Sequence, residues 1–197
     1  MGRTLRSIAC CAALLLGGCG LFEPRDPLPG GGPGSGCLTP NNPDNVVTNI
    51  VDQYAAIDGI TCYTSMLDTA FTFHPDAADS IEALPDPVYA NWNRAVESDV
   101  AAKLAADATF HFTAFDSQYA APVISSDQRT QTRFYAYHLI VRGPIVAQAG
   151  SDTLFKGLAD ITFFQGSDAQ WHVTTWVDKR DASGSRTWGY LRRLYRI

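Results

Sequence analysis

Three of the four histidines, His111, His138 and His172, fall in stretches rich in aromatic and β-branched residues, as do Asp160, Tyr135 and Tyr137. These residue types perform general acid–base chemistry, in which a group with a pKa near working pH moves a proton at hydrogen-bond distance. Strand alternation sorts them by face. Phe110, Phe112 and Ala114 share one face, leaving His111 beside Thr109 and Thr113. His172 falls with Thr174, Trp176 and Asp178; His138 with Phe134, Ala136 and Ile140; Asp160 with Leu158, Thr162 and Phe164. Only His138 and Asp160 are polar groups on mostly apolar faces, where burial perturbs a pKa. They form the candidate catalytic pair, with Tyr135 beside them. The alternative is hydrogen-bonded packing or plain surface exposure. The sequence contains no Gly-x-Ser-x-Gly elbow and no His-Glu-x-x-His. His74-Pro75-Asp76 offers two metal-ligand types without a third, so no metal and no cofactor is expected.

The elements that must position these residues change period along the chain. "NVVTNIVDQYAAID" places Val47, Ile50, Val51 and Tyr54 on one helical stripe. "ITCYTSMLD" predicts a second short helix with Ile60, Tyr63, Met66 and Leu67 inward, followed by an extended run broken at Pro75. "NWNRAVESDVAAKLAAD" is a helix with Trp92, Val96, Val100 and Leu104 repeating at i+4. Then come "ATFHFTAF", "RFYAYHLIV", "FKGLADITFF" and "QWHVTTWVD", read as strands, with residues 143–156 as an extended hairpin loop. A last helix carries Trp188, Leu191 and Tyr195 on one side, with Thr187 as N-cap. Helices followed by consecutive strands predict an α+β fold: helices packed on a curved antiparallel sheet. Residues 46–197, about 150 in all, suit one domain with one core.

What precedes that domain concerns location. Arg3 and Arg6 lead an apolar run of about 12 residues, too short for the roughly 20 that cross a bilayer. A basic start, a short apolar middle and small residues at the end describe a secretory signal over residues 1–18. Leu16-Gly17-Gly18-Cys19 resembles the bacterial lipoprotein signal, which implies cleavage before Cys19 and lipidation of that cysteine. Buried acyl chains, each CH₂ worth about 0.8 kcal/mol, would hold the chain to a membrane. Residues 19–45, with "PLPGGGPGSG" and "TPNNPDN", read as a flexible linker. The location expected is the bacterial cell envelope, facing the periplasm, with the outer membrane favoured because Gly20 is not the Asp associated with inner-membrane retention.

The full chain has 15 Lys+Arg against 20 Asp+Glu. Residues 1–18 hold two arginines and no acid, so 13 basic residues face 20 acidic ones after cleavage. This excess of negative charge argues against nucleic acid as a partner. The basic cluster Arg186, Arg192, Arg193 and Arg196 reads as a solvated helix face. Cys37 and Cys62 can form a disulfide in an exported protein, or Cys62 can be a small buried helix residue.

The motifs "YTSMLDTAFTFHP", "NWNRAVESD" and "GLADITFF…WHVTTWVD…TWGYLRRLYR" resemble the nuclear transport factor 2-like (SnoaL-like, cystatin-like) superfamily. Bacterial lipoproteins of this fold often end with a Trp-x-Asp strand and a Trp-Gly tail, matched here by Trp176, Asp178, Trp188 and Gly189. The resemblance implies a cone-shaped domain with a pocket, and in many relatives a dimer through the sheet. Two functions follow as expectations. One is a non-catalytic module that binds a small apolar ligand, an envelope protein or a second copy. The other is a small-molecule isomerase, dehydratase or cyclase using His138, Asp160 and Tyr135.

Overall fold

The computed structural model describes residues 36–79, 87–150 and 153–196 of the chain. The signal segment, Cys19 and the linker up to residue 35 lie outside the described residues. Helix α1, Pro43–Gln53, starts where Asn42 accepts from the Asn45 amide at 2.8 Å and Pro43 pre-sets the first turn. Its buried stripe is Val46, Asn49 and Ile50, one position ahead of the stripe expected from Val47 and Val51. The cause is Asn49. Its amide bonds the backbone of Leu38 in both directions, at 2.9 and 2.8 Å, and so turns inward. The last part of the expected linker therefore belongs to the domain. Cys37 is disulfide-bonded to Cys62 in α2, Ile60–Ser65, and Pro40 accepts from the Trp171 amide at 2.7 Å.

Strand β1, Leu67–His74, precedes α3, Arg94–Asp107, whose N-cap Asn93 accepts from Ala95 and Val96. Trp92 thus lies before the helix and not on its stripe; the inward face is Glu97, Val100, Ala101, Leu104 and Ala105. Then follow β2 Phe110–Ile124, β3 Thr130–Arg142, α4 Pro144–Gln148, β4 Leu154–Gln165, β5 Trp171–Lys179 and α5 Trp188–Arg196. Residues 143–156 are accordingly not one loop: they contain α4 and the start of β4.

The sheet order is β1-β5-β4-β3-β2. Three of its pairings are antiparallel, as expected, and β1 lies parallel to β5 at one edge. A parallel pair needs a long crossover, and the chain between β1 and β5 supplies one. Odd-numbered residues of β3 and β4 from Tyr135 to Val141 and Phe155 to Phe163 face the core, while even-numbered ones face outward. In β5 the alternation breaks. Thr162 pairs with Thr175 but Phe163 pairs with Val173, a bulge that opposes one residue of β4 by two of β5. Trp176 and Asp178 therefore join Trp171 and Val173 on the inner face, and His172 is left outside. Period-two reading had put His172, Trp176 and Asp178 together.

Reduction of the Cys37–Cys62 bond, which spans 25 residues, is expected to cost about 3 kcal/mol of stability through the entropy of the opened loop. Urea unfolding of the oxidised protein and of a Cys37→Ser/Cys62→Ser variant measures it; equal midpoints would contradict a stabilising role.

Candidate functional site

The inner face of the sheet, α3 and α5 enclose an acid and a base that are both fully buried. Glu97 on α3 and Arg192 on α5 each have no exposed side-chain surface. Arg192 Nε donates to Glu97 Oε1 at 2.9 Å and to Oε2 at 3.0 Å. The carboxylate also accepts from Tyr63 Oη at 2.6 Å and from Trp92 Nε1 at 2.7 Å. Nη1 and Nη2 of Arg192 make no hydrogen bond. Instead the guanidinium lies 4.3 Å from the Phe73 ring centre, 4.5 Å from Trp176 and 5.0 Å from Trp188. A desolvated cation among π-faces gains about 2 kcal/mol or more. Burial alone would push the Arg192 pKa down, but Glu97, Tyr63, Tyr54 and Asp178 together outweigh it and hold the guanidinium above its ordinary range. The arginine stays charged. The basic cluster of the tail is thus no solvated face, since Arg192 and Arg193 are both buried.

A second buried cluster lies at the start of α5. Tyr137 on β3 reaches across β4 to donate to Asp178 Oδ1 on β5 at 2.6 Å. It passes over Gly157, its register partner, where a Cβ would come within 2.5 Å of the phenol oxygen. Tyr137 Oη in turn accepts from the Trp188 amide at 2.8 Å. Asp178 Oδ2 accepts from the Gly189 amide and from Thr187 Oγ1, the latter at 2.7 Å. Thr187 therefore acts at the helix start, as expected, although Asp178 supplies the cap from another strand. Burial pushes the Asp178 carboxyl up to about 6, against the pull of the Tyr137 and Thr187 hydrogen bonds and of Arg192.

The three residues proposed for acid–base catalysis do not meet. His138 and Asp160 lie on the outer face and Tyr135 points into the core. His138 is opposite Lys156, and Asp160 is opposite Phe134. Four strand positions therefore separate them, about 13 Å. Each has its own partner. Asp116 is left out of register by a shift in β2, and its carboxylate takes His138 Nδ1 at 2.7 Å. Asp160 accepts from Tyr119 and from Lys179. His138, Asp116, Lys156 and Leu158 line an open cleft of about 430 Å³ that does not include Asp160. His111 faces inward, and burial lowers its pKa. His172 Nδ1 lies 3.3 Å from the Ser65 carbonyl. Asp76 caps its own turn through the Ala78 amide and accepts from the Arg180 amide. Among the described residues no group of three or more His, Cys, Asp or Glu is arranged to hold a metal ion.

Solved structures share this architecture. One is a nuclear transport factor 2-like superfamily protein from Salmonella enterica serovar Typhimurium, at TM-score 0.51 and 9% identity over 70% of this chain and 87% of that one. A second, named as a candidate aromatic ring hydroxylase from Novosphingobium aromaticivorans, gives TM-score 0.53 and 10% identity over 70% and 85%. The fold is nuclear transport factor 2-like. A third nuclear transport factor 2-like relative in shape, named as a candidate scytalone dehydratase of the same bacterium, gives TM-score 0.50 and 7% identity over 74% and 90%. No protein-family model and no curated protein matches the sequence.

Within this nuclear transport factor 2-like fold, Glu97 and Arg192 were the residues that strand-based reasoning missed. A signal for them existed. Glu97, Val100, Ala101 and Leu104 stand at i, i+3, i+4 and i+7, so a carboxylate occupies an apolar stripe. Arg192 likewise follows Trp188 by four and Leu191 by one.

Removing either partner leaves the other charge buried and alone. Glu97→Gln or Arg192→Met is expected to cost about 3–5 kcal/mol in urea unfolding. The double variant is expected to lose less than the two singles together, with a coupling of at least about 2 kcal/mol. Additive losses would show that the ion pair is not the organising contact.

Proposed function

We propose that the chain is a lipid-anchored, periplasm-facing module that works by binding and not by catalysis, with the outer face of its sheet as the contact surface. One observation carries this reading. The chain fills its inner face with its own side chains, Glu97, Arg192, Trp176 and Trp188 all at 0% exposure, while the opposite side exposes Phe112 at 46% and Phe110 at 45%. Exposed aromatic and aliphatic surface of this kind marks an interaction site more than a solvated wall. The partner we assign is a second copy of the chain. The acidic charge of the whole molecule would oppose self-association, but on this face Asp116 is paired with His138 and Asp160 with Lys179. Anchoring rests on the Leu16-Gly17-Gly18-Cys19 sequence, and the outer membrane is the membrane favoured.

A second reading, proton transfer as in an isomerase or dehydratase, has one observation in its favour. Asp116 occupies His138 Nδ1, which leaves Nε2 for a substrate proton beside the 430 Å³ cleft. Asp160 has no part in that arrangement.

Two measurements test the first reading. Cys19→Ser is expected to move the chain from the membrane fraction to the soluble fraction, and retention in the membrane would remove the anchor. In the detergent-solubilised protein, Phe112→Asp is expected to weaken self-association at least about tenfold by sedimentation, or about 1.4 kcal/mol. A wild-type chain that is monomeric at all concentrations sinks the assembly surface.

A further inference from the structure

The hydrogen bonds around Thr187 do not balance unless a proton is added. Thr187 Oγ1 lies within bonding distance of Asp178 Oδ2, at 2.7 Å, and of Asp79 Oδ2. A threonine hydroxyl has one hydrogen and two lone pairs, so it can donate to only one carboxylate. The single Gly189 N–H is shared between Asp178 Oδ2 and one of those lone pairs, the latter at 3.0 Å. If both acids were ionised, the second carboxylate oxygen would face the remaining lone pair with no hydrogen between them. Both acids are buried, at 1% exposure each, so water does not screen that contact.

We propose that Asp79, Thr187 and Asp178 form a proton-holding clasp, in which the two carboxyls share one proton in mildly acidic conditions and so fasten the start of α5 to the turn Ala77–Asp79. With one carboxyl protonated, every valence closes. One carboxyl O–H donates to Thr187 Oγ1, the threonine hydroxyl donates to the other carboxylate, and the Gly189 amide completes the oxygen. A side chain at position 189 would crowd the clasp. A Cβ there would lie 3.0 Å from Asp178 Oδ2 and 3.3 Å from both Asp79 Oδ2 and Thr187 Oγ1.

The charges facing the clasp come from four sides. Arg180 Nη2 donates to Asp79 Oδ1 at 3.1 Å, and Asp76 stands beside it. Tyr137 from β3 donates to Asp178. Tyr54, which follows α1, is close enough to feel the Asp178 charge. Arg192 faces Asp178 from α5, with its own charge already matched by Glu97. Among the described residues no cation hydrogen-bonds Asp178 directly, and Arg180 reaches only the far oxygen of Asp79. Burial raises both acids above the ordinary carboxylate range, Asp178 to about 6. For an acid raised on folding, the stabilisation is complete below the unfolded pKa and is lost as pH rises through the folded one. The clasp is therefore tight at pH 5 and loosens through about pH 6 and above.

Carboxyl ¹³C titration of the folded protein tests this, read together with amide-exchange protection at Trp188 and Gly189. The pair is expected to titrate in two coupled steps, the upper near 6, with protection at both amides falling about tenfold across it. In Asp79→Asn the side-chain amide can donate to Thr187, so the Asp178 step should drop towards the ordinary range. In Thr187→Val the bridging hydroxyl is gone, so the upper step should rise. Wild-type carboxyls that both titrate below about 4.5, or protection that does not change from pH 5 to 8, would overturn the clasp. Both readouts come from the wild type, so the test stands even if a variant does not fold.

Discussion

The ion pair between Glu97 and Arg192 is the contact on which the interior depends. Two charges without solvent access are tolerated only when their geometry is good and their other hydrogen-bonding groups are answered. Here one carboxylate meets Nε of Arg192 through both oxygens and also accepts from Tyr63 and Trp92. These three donors come from α2, the segment before α3, and α5, so a single acid joins three parts of the chain. The arginine in turn requires rings around its unbonded nitrogens, which places Phe73 from β1, Trp176 from β5 and Trp188 from α5. The aromatics are therefore neither a generic core nor a ligand platform. They are the solvent of one guanidinium.

The same logic explains the residues that look incidental in sequence. Gly157 is open space for Tyr137, which must cross β4 to reach Asp178. Asp107, at the end of α3, accepts from Tyr195 of α5 at 2.8 Å and from the Ile145 amide at the start of α4. Helix α5 is thus held at its start by Asp178, along its length by Glu97 and near its end by Asp107. A nine-residue helix is too short to be stable alone in water. Its stability comes from these three acids and from the packing of Trp188, Leu191 and Tyr195.

Fold class was legible because it rests on period and order. The helical stripes, the four late strands and the amphipathic tail are local patterns, and each survives in the structure, although β2 runs on to Ile124, nine residues past the stretch read as a strand. Two things were not legible. The first is the bulge in β5, which comes from how Thr174 and Thr175 sit against Thr162 and reverses the faces of everything after it. One extra residue moved Trp176 and Asp178 inward and took His172 out, so the strand that looked mixed carries part of the core. The second is the pairing of charges far apart in sequence. Nothing local shows that Glu97 waits for Arg192, 95 residues away.

His138 and Asp160 illustrate the limit of face-sorting. Alternation placed both on one face with apolar neighbours, and they are there. What alternation cannot supply is which face meets the helices. The outer face of this sheet carries Phe, Leu and Ile and is partly open, while the inner face holds His111, Thr113 and Asp178 among Tyr135, Leu139, Ile161 and Trp176. Both faces of the sheet therefore carry apolar residues, and hydrophobicity alone does not say which one meets the helices. The outer side is where the sheet has unused apolar surface, and the inner side is where buried polar groups such as Asp178 have their hydrogen bonds answered within an apolar core. The buried hydrogen bonds thus hold the core and helix α5 in place, and the apolar surface left open lies on the outer face of the sheet.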